Sequence, residues 1–401
     1  MEKLMRLTQH VLSSNAAEGK IGSIEMNLWL AQLVGLPLFG LKPETPLQSL
    51  IIISFGGLVQ SALFCYLGLE LYDLYLNWQN LDALTQNIVL SLTHAVYWLK
   101  VFNICYHYTT LKDIINKFRD ITRRCILSEK QRETFQRAEI ESKSAMLLYF
   151  SLVLLPGAMG TVYILIAPDN FAGDRFPYRA AMPDFLPPVV QYLYKGLGVA
   201  VVALDITQID YMNVSCMVQL CMHLKVINLA FDELLPTDQQ KLREDPNNWL
   251  VSIVKYHCEL IVLRQKVERI FNLPVMLQFV SSVVIVAMTV FQVLVIGDGS
   301  TSSIIMDMLL CCVLCQLFFY CWFGNEVYEQ SMTLATSGFG CNWYLFDTKF
   351  RKTLLIFMVN AERPFLFTAG GFMGLHLPSF TYIISKAYSI MAVLRQMYSR
   401  P

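Results

Sequence analysis

The stretch "SFTYIISKAYSIMAVLRQM", residues 379–397, is apolar enough to prefer lipid, yet it carries Lys386 at its middle and serines and a glutamine at intervals. On a helix, side chains three and four positions apart share a face. Ser379, Tyr382, Lys386, Ser389, Val393 and Gln396 therefore form one polar stripe, and Phe380, Ile384, Ala387, Met391 and Leu394 form an apolar side opposite. Polar groups at membrane depth face a water-filled path or a protein partner, because exposure to lipid is costly. Two readings follow: a pore-lining helix, or a buried contact in which Lys386 pairs with a carboxylate such as Asp205 or Asp307. Toward the chain end the stripe becomes Val393, Gln396 and Met397, and a ring of Val and Met can gate ions by dewetting. One helix cannot enclose a pore, so the first reading needs several copies around an axis.

The rest of the chain has the same character. Of 401 residues 55% are hydrophobic and 15% charged, the mark of a polytopic, all-α membrane protein. Lys plus Arg and Asp plus Glu number 31 each, so no overall charge bias points to nucleic acid or an acidic substrate. The first twenty residues hold no apolar core of signal-peptide type, and the first span is expected to direct insertion. No internal repeat is visible.

A spanning helix needs about 20 mostly apolar residues. Leu47 to Leu69, Ala145 to Ala167, Leu273 to Ile296 and Met308 to Asn325 meet this without a charge. Ala83 to Leu99, Leu186 to Leu204 (broken by Lys195) and Pro364 to Leu394 (holding Pro378 and Lys386) are weaker. These make seven transmembrane helices. The apolar run Leu28 to Leu41 is short and contains Pro37, which predicts an interfacial or re-entrant helix.

Basic residues concentrate on the cytoplasmic side. Four Lys and Arg precede the first span, ten lie between spans two and three, seven between four and five, and four between six and seven. The opposite side carries Arg175, Arg179 and Arg400, with Arg395 at the boundary. This predicts a cytoplasmic N-terminus and an extracellular C-terminus, the reverse of a G-protein-coupled receptor; the DRY and NPxxY motifs are absent too, and no G protein is expected. The expected organisation is a cytoplasmic segment at 1–46, spans one to four at 47–222 with a cytoplasmic helical extension at 100–144, a cytoplasmic helical segment at 223–272, and spans five and six at 273–325.

None of the 11 cysteines lies in a predicted extracellular loop, so no external disulfide is expected. Cys311, Cys312, Cys315 and Cys321 include a CxxC, but no His or carboxylate completes a metal site there, and packing as small apolar residues is the simpler reading. Leu111, Ile114, Ile115, Phe118 and Ile121 repeat at helical spacing, as do Leu250, Ile253, Val254 and Ile261. Such amphipathic cytoplasmic helices bury their faces within one subunit or in an oligomerisation collar.

The outer halves of spans two, three, four and six supply a candidate ligand pocket: Ile88, Ser91 and Leu92; Gly157 and Thr161; Tyr192, Lys195 and Val199; and Met308. Apolar bulk, small residues and a few polar groups suit a small apolar molecule. The same set suits ordinary helix packing. Catalysis has no support: HExxH, GxSxG, Walker and GxGxxG patterns are absent, the six histidines do not cluster, and no cofactor is expected. His94 and His107 read as satisfied polar residues. An intramembrane relay of Lys195, Asp205, Asp210 and Lys386 would instead suit a secondary transporter.

In the C-terminal third stand Gly324-Asn325, Ser331, Trp343, "FRKTLLIFM" (350–358), Arg363-Pro364, "FTAG" (367–370), Phe380, Tyr388-Ser389 and Leu394. With these residues it resembles an insect odorant receptor. "TYIISKAYS" (381–389) begins like the signature of the related gustatory receptors but lacks its Gln-Phe ending. The resemblance implies an odorant-gated, non-selective cation channel, multi-pass in the plasma membrane of a sensory dendrite. It implies cytoplasmic anchor helices at 326–374 and a pore-lining last span at 375–401, with gate positions at Val393 and Met397 and Gln396 beside them. It further implies a heterotetramer in which a ligand-tuning subunit assembles with a shared co-receptor, and the brief segment 223–272 fits the tuning subunit. Lys386 and Arg395 depart from a neutral pore lining, a charge that a mixed tetramer would dilute.

Overall fold

The computed structural model describes residues 21–33, 36, 46–124, 128–166, 179–183, 185–234, 245–293 and 301–398. They form ten α-helices: α1 (Gly22–Leu33), α2 (Pro46–Leu76), α3 (Leu81–Tyr106), α4 (Tyr108–Arg124), α5 (Glu129–Ile166), α6 (Pro188–Asp232), α7 (Pro246–Phe291), α8 (Thr301–Gly340), α9 (Thr348–Ala361) and α10 (Leu377–Tyr398). The strands among the described residues are one two-residue pair, β1 (Thr368–Ala369) and β2 (Met373–Gly374), so the expected all-α class holds.

Local chemistry sets the helix starts. Proline fits the first helical turn because its missing N–H has no intrahelical partner to lose. Pro188 opens α6 after Pro187, and Pro246 opens α7 after Asp245, whose carboxylate accepts from the Asn247 N–H at 3.1 Å. Asp347 caps α9 by accepting from the Phe350 N–H at 3.0 Å.

Six described helices are long and apolar enough to cross a membrane: Leu50–Leu76, Ala83–Tyr106, Pro188–Asp232, Pro246–Phe291, Met306–Gly340 and Leu377–Gln396. The third expected span occupies the second half of α5, where side chains from 157 onward lie outside the described ones. The membrane helices outrun their apolar windows. α6 continues to Asp232 and α7 begins at Pro246, so most of the expected 223–272 segment is a helical extension of spans four and five. Hydropathy reports only the lipid-facing part of a helix, whereas backbone hydrogen bonding continues into water. The short N-terminal helix lies earlier than expected, at Gly22–Leu33; Pro37 and Leu41 lie outside the described residues.

α6 is the axis of the bundle. It is buried almost all round from Asp205 to Leu224 because α1, α2, α3, α5, α7 and α8 pack around it. At the end that the charge pattern assigns to the cytoplasm, α4 buries Leu111, Ile114, Ile115, Phe118 and Ile121. Phe231, Leu250, Leu260, Phe350, Phe357 and Phe365 continue that core across α6, α7, α9 and the segment after it. Where water surrounds such a core, each fully buried large apolar side chain contributes about 1.5–3 kcal/mol. Between lipid-embedded helices that drive is absent.

The link into α10 is clamped. Gly370 (φ 65°) and Gly371 (φ 79°) turn the hairpin through a left-handed backbone that side chains disfavour. Thr368 pairs with Gly374, and Ala369 with Met373. Against α7, Arg264 donates to Leu366 O at 2.7 Å, Thr368 Oγ1 donates to Glu268 Oε1 at 2.7 Å, and Asn272 Nδ2 donates to Thr368 Oγ1 at 3.1 Å. Against α8, the Phe365 N–H donates to Ser331 Oγ at 2.8 Å. Two of the long helices thereby fix where α10 begins.

α1 is fixed by polar contacts as well. Ser23 donates through both its N–H and its hydroxyl to Glu139 at 3.1 Å, and Arg119 pairs with Glu25 at 2.6 Å. Gln219 donates to Glu139 at 2.9 Å, while Lys143 Nζ stands 3.8 Å from it. Burial pushes the Glu139 carboxyl up and the Lys143 ammonium down, each against the pull of its partner.

Candidate ligand pocket and pore helix

α10 buries one face and leaves the other open. Ile383, Ala387 and Met391 are buried, with Phe380, Ile384 and Leu394 half-buried beside them. Ala387 packs with Val89, Ile285, Val286 and Val313, and Met391 packs with Ala287 and Phe291. Tyr382, Lys386, Ser389, Val393 and Gln396 are all exposed, and Val393 is 57% exposed. Met397 continues the helix, but its side chain is outside the described set.

Two details differ from the sequence expectation. Ser379 is buried, because its hydroxyl donates to Gly374 O at 2.7 Å in the first turn of α10. It belongs to the helix start, not to the open stripe. Lys386 pairs with neither Asp205 nor Asp307: its Nζ lies 5.1 Å from the Tyr382 ring centroid, on the open face. Ser385 and Ser389 donate to the carbonyls of Thr381 and Ser385, each at 2.9 Å, which satisfies hydroxyls facing away from the subunit.

Along α3 runs a polar ladder at helical spacing, Asn87, Ser91, His94, Tyr97, Lys100 and Asn103. Asn87 Nδ2 donates to Asp73 at 2.8 Å, and Ser91 donates to Asn87 Oδ1. His94 Nδ1 meets Glu70 Oε2 at 2.6 Å. The Tyr97 hydroxyl stands 2.8 Å from Asp205 Oδ2 and 2.6 Å from Gln60 Oε1, with one proton to share between the two acceptors. Lys100 Nζ reaches Asp210 and Gln278 at 2.6 Å each. Tyr320 donates to Asp210 at 2.6 Å, Gln316 also donates to Asp210, and Gln278 donates to Gln316 at 2.8 Å. Asn103 donates to Ile270 O at 2.8 Å. These bonds join α3 to α2, α6, α7 and α8 where the hydrophobic effect between helices is missing. Of the residues of the alternative relay, Asp205 and Asp210 have partners among these bonds, and Lys386 stands on the open face of α10.

The expected pocket residues divide between two apolar clusters. Tyr192 and Val199 pack around Tyr66 with Leu90, Ala180, Met182, Tyr194 and Met306. Ile88 and Leu92 pack across the other side of α3 with Val89, Ile285 and Val313. Ser91 is buried within the ladder, Lys195 is buried in α6, and Met308 is half-buried in α8. Gly157 and Thr161 lie in α5, with side chains outside the described set. Cys312 of the cysteine group is buried and donates to Leu152 O at 3.4 Å, a packing contact between α8 and α5.

Tyr66 and Glu70 were not among the expected site residues. The first charge-free window ends at Leu69, but α2 continues to Leu76 and carries Glu70 and Asp73 into the bundle. Asn87 and His94, seven apart on the next helix, were the legible sign that α2 must supply polar partners.

The comparisons agree with this architecture. The family model described as 7tm Odorant receptor matches residues 80–388. Odorant receptor 2a of Drosophila melanogaster is 22% identical over 374 residues, covering 89% of this chain and 93% of that one. Odorant receptor 85b of the same species is 21% identical over 370 residues, covering 88% and 90%. Among solved structures, the insect olfactory receptor OR5 from Machilis hrabei in complex with eugenol superposes with a TM-score of 0.81 at 16% identity, over 93% of this chain and 97% of that one. A second structure of the same receptor gives a TM-score of 0.80 at 17% identity. The fold is therefore that of the solved insect receptors, the protein is a multi-pass membrane protein and not an enzyme, and the chain belongs to the seven-transmembrane odorant receptor family.

Proposed function

We propose that the chain is the ligand-tuning subunit of an odorant-gated, non-selective cation channel, assembled with a shared co-receptor in a heterotetramer at the plasma membrane of a sensory dendrite. The observation that carries this reading is the open face of α10. A helix that packs Ile383, Ala387 and Met391 inward and turns Tyr382, Lys386, Ser389, Val393 and Gln396 away from its own subunit is suited to a shared water-filled axis. The same face against lipid would leave a lysine in hydrocarbon.

Gating follows from packing. α10 rests on α7 and α8, and α8 contributes Met306 to the Tyr66 cluster where Tyr192 and Val199 lie. A volatile bound there with higher affinity for the open arrangement would shift α8 and α10 together and widen the Val393 and Met397 constriction. The relative bound to eugenol offers a precedent for a small aromatic ligand in a protein of this fold.

The test is ionic current from cells expressing the chain with and without an insect odorant co-receptor under a panel of small volatiles. Odour-evoked cation current that requires the co-receptor supports the tuning-subunit reading. Saturable uptake driven by an ion gradient, without channel openings, would overturn it.

A further inference from the structure

Glu70 is a carboxylate with no exposed surface, and the described residues use one of its oxygens. Oε2 meets His94 Nδ1 at 2.6 Å, while Oε1 is buried without a hydrogen-bond partner among the described residues. A buried acceptor left without a donor is costly, more so when charged. The neighbouring acid is supplied differently: Asp73 Oδ2 accepts from Asn87 at 2.8 Å and has Arg179 Nε at 3.5 Å.

Glu70 lies beside a packed aromatic and apolar cluster. Tyr66, one helical turn before it, sets its ring 5.7 Å from His94 and 5.6 Å, edge on, from Tyr194. Leu90, Val199 and Met306 close the apolar part of the cluster. Where such a cluster opens to admit a ligand, one convergent polar group orients it.

We propose that Glu70 Oε1 is the recognition atom of the pocket and selects volatiles that carry a hydrogen-bond donor, a hydroxyl or an amine, on a short apolar body. An ester, ether or ketone of the same size brings only acceptors and leaves Oε1 unpaired. This assignment rests on the odorant reading above and deepens it.

The experiment compares linear alcohols and amines with ethers isomeric to the alcohols, on wild type and on Glu70→Gln, which keeps the shape and the contact to His94. Currents are recorded with an insect odorant co-receptor, and thermal shifts are measured on the purified full chain in detergent with the same compounds. Wild type is expected to respond to alcohols or amines at concentrations about tenfold or more below those for the isomeric ethers, the range of a charge-assisted hydrogen bond. Glu70→Gln is expected to reduce that preference to a few-fold and leave the ethers unchanged. Equal potency of ether and alcohol on wild type overturns the proposal, even where the variant fails to fold. So does a Glu70→Gln shift that is equal for both classes. Thermal stabilisation by alcohols or amines and not by ethers, with no current, supports Glu70 recognition while the channel reading fails. Absence of both responses overturns the two together.

Discussion

Gly324 of α8 meets the backbone carbonyl of Leu375 so closely that a β-carbon at 324 would stand 2.5 Å from that oxygen and 2.7 Å from Leu375 Cβ. The contact lies two residues before α10 begins, so the approach sets where the last helix starts. Backbone cannot yield as a flexible side chain would. Gly324→Ala is therefore expected to cost about 1–3 kcal/mol by overpacking. Thermal unfolding in detergent should show a lowered midpoint, with reduced maximal current; an unchanged midpoint would mean that the segment relaxes freely.

Lys100 and Asp210 are both buried and hydrogen-bonded through a closed set that includes Gln278, Gln316 and Tyr320. Removing one partner strands a charge, so Lys100→Met or Asp210→Asn alone should destabilise by about 3–5 kcal/mol. The double variant should recover part of that, with a coupling of about 1–3 kcal/mol in a double-mutant cycle. Simple additivity would show that the two side chains act independently.

Val393 is expected to narrow the assembled pore. Val393→Ala should raise the current recorded without odorant and leave the unfolding midpoint nearly unchanged, since the side chain is mostly exposed in its own subunit. Basal current and selectivity both equal to wild type would move the gate elsewhere.

Lys386 on the same stripe places a positive charge on the proposed conduction path, held among the described residues by a contact with Tyr382 worth about 0.5–1 kcal/mol at an exposed site. Lys386→Gln should increase cation relative to anion permeability, and Lys386→Glu should increase it further. Reversal potentials in asymmetric salt would measure the change, and identical values in all three proteins would remove Lys386 from the pore.

Burial raises the Glu139 carboxyl above its ordinary value, so the folded state binds a proton where the unfolded chain has released it. That contribution is fully present below the unfolded carboxylate value and is lost as pH rises through the folded one. Wild type should therefore gain stability relative to Glu139→Gln as pH falls from neutral toward the ordinary carboxylate range. Thermal melts of both proteins across that interval test the sign; an opposite trend would mean that the charge pair with Lys143 outweighs burial.

The chain's composition, its apolar runs and the asymmetry of its basic residues were enough to set an all-α, seven-span membrane protein, because lipid forces backbone groups to be satisfied within helices. The two faces of α10 were legible for the same reason: periodicity places Lys386, Ser389, Val393 and Gln396 together before any contact is known. Tertiary structure decided what periodicity cannot express. Ser379 shares the stripe's spacing but turns inward to Gly374, Lys386 leaves Asp205 to Tyr97 and Gln60, and Glu70 comes to His94 from outside the window that hydropathy marks. A helical pattern fixes which residues share a face, but the partner of a buried polar group is chosen by which helices cross at its depth, and that depends on packing across the whole bundle.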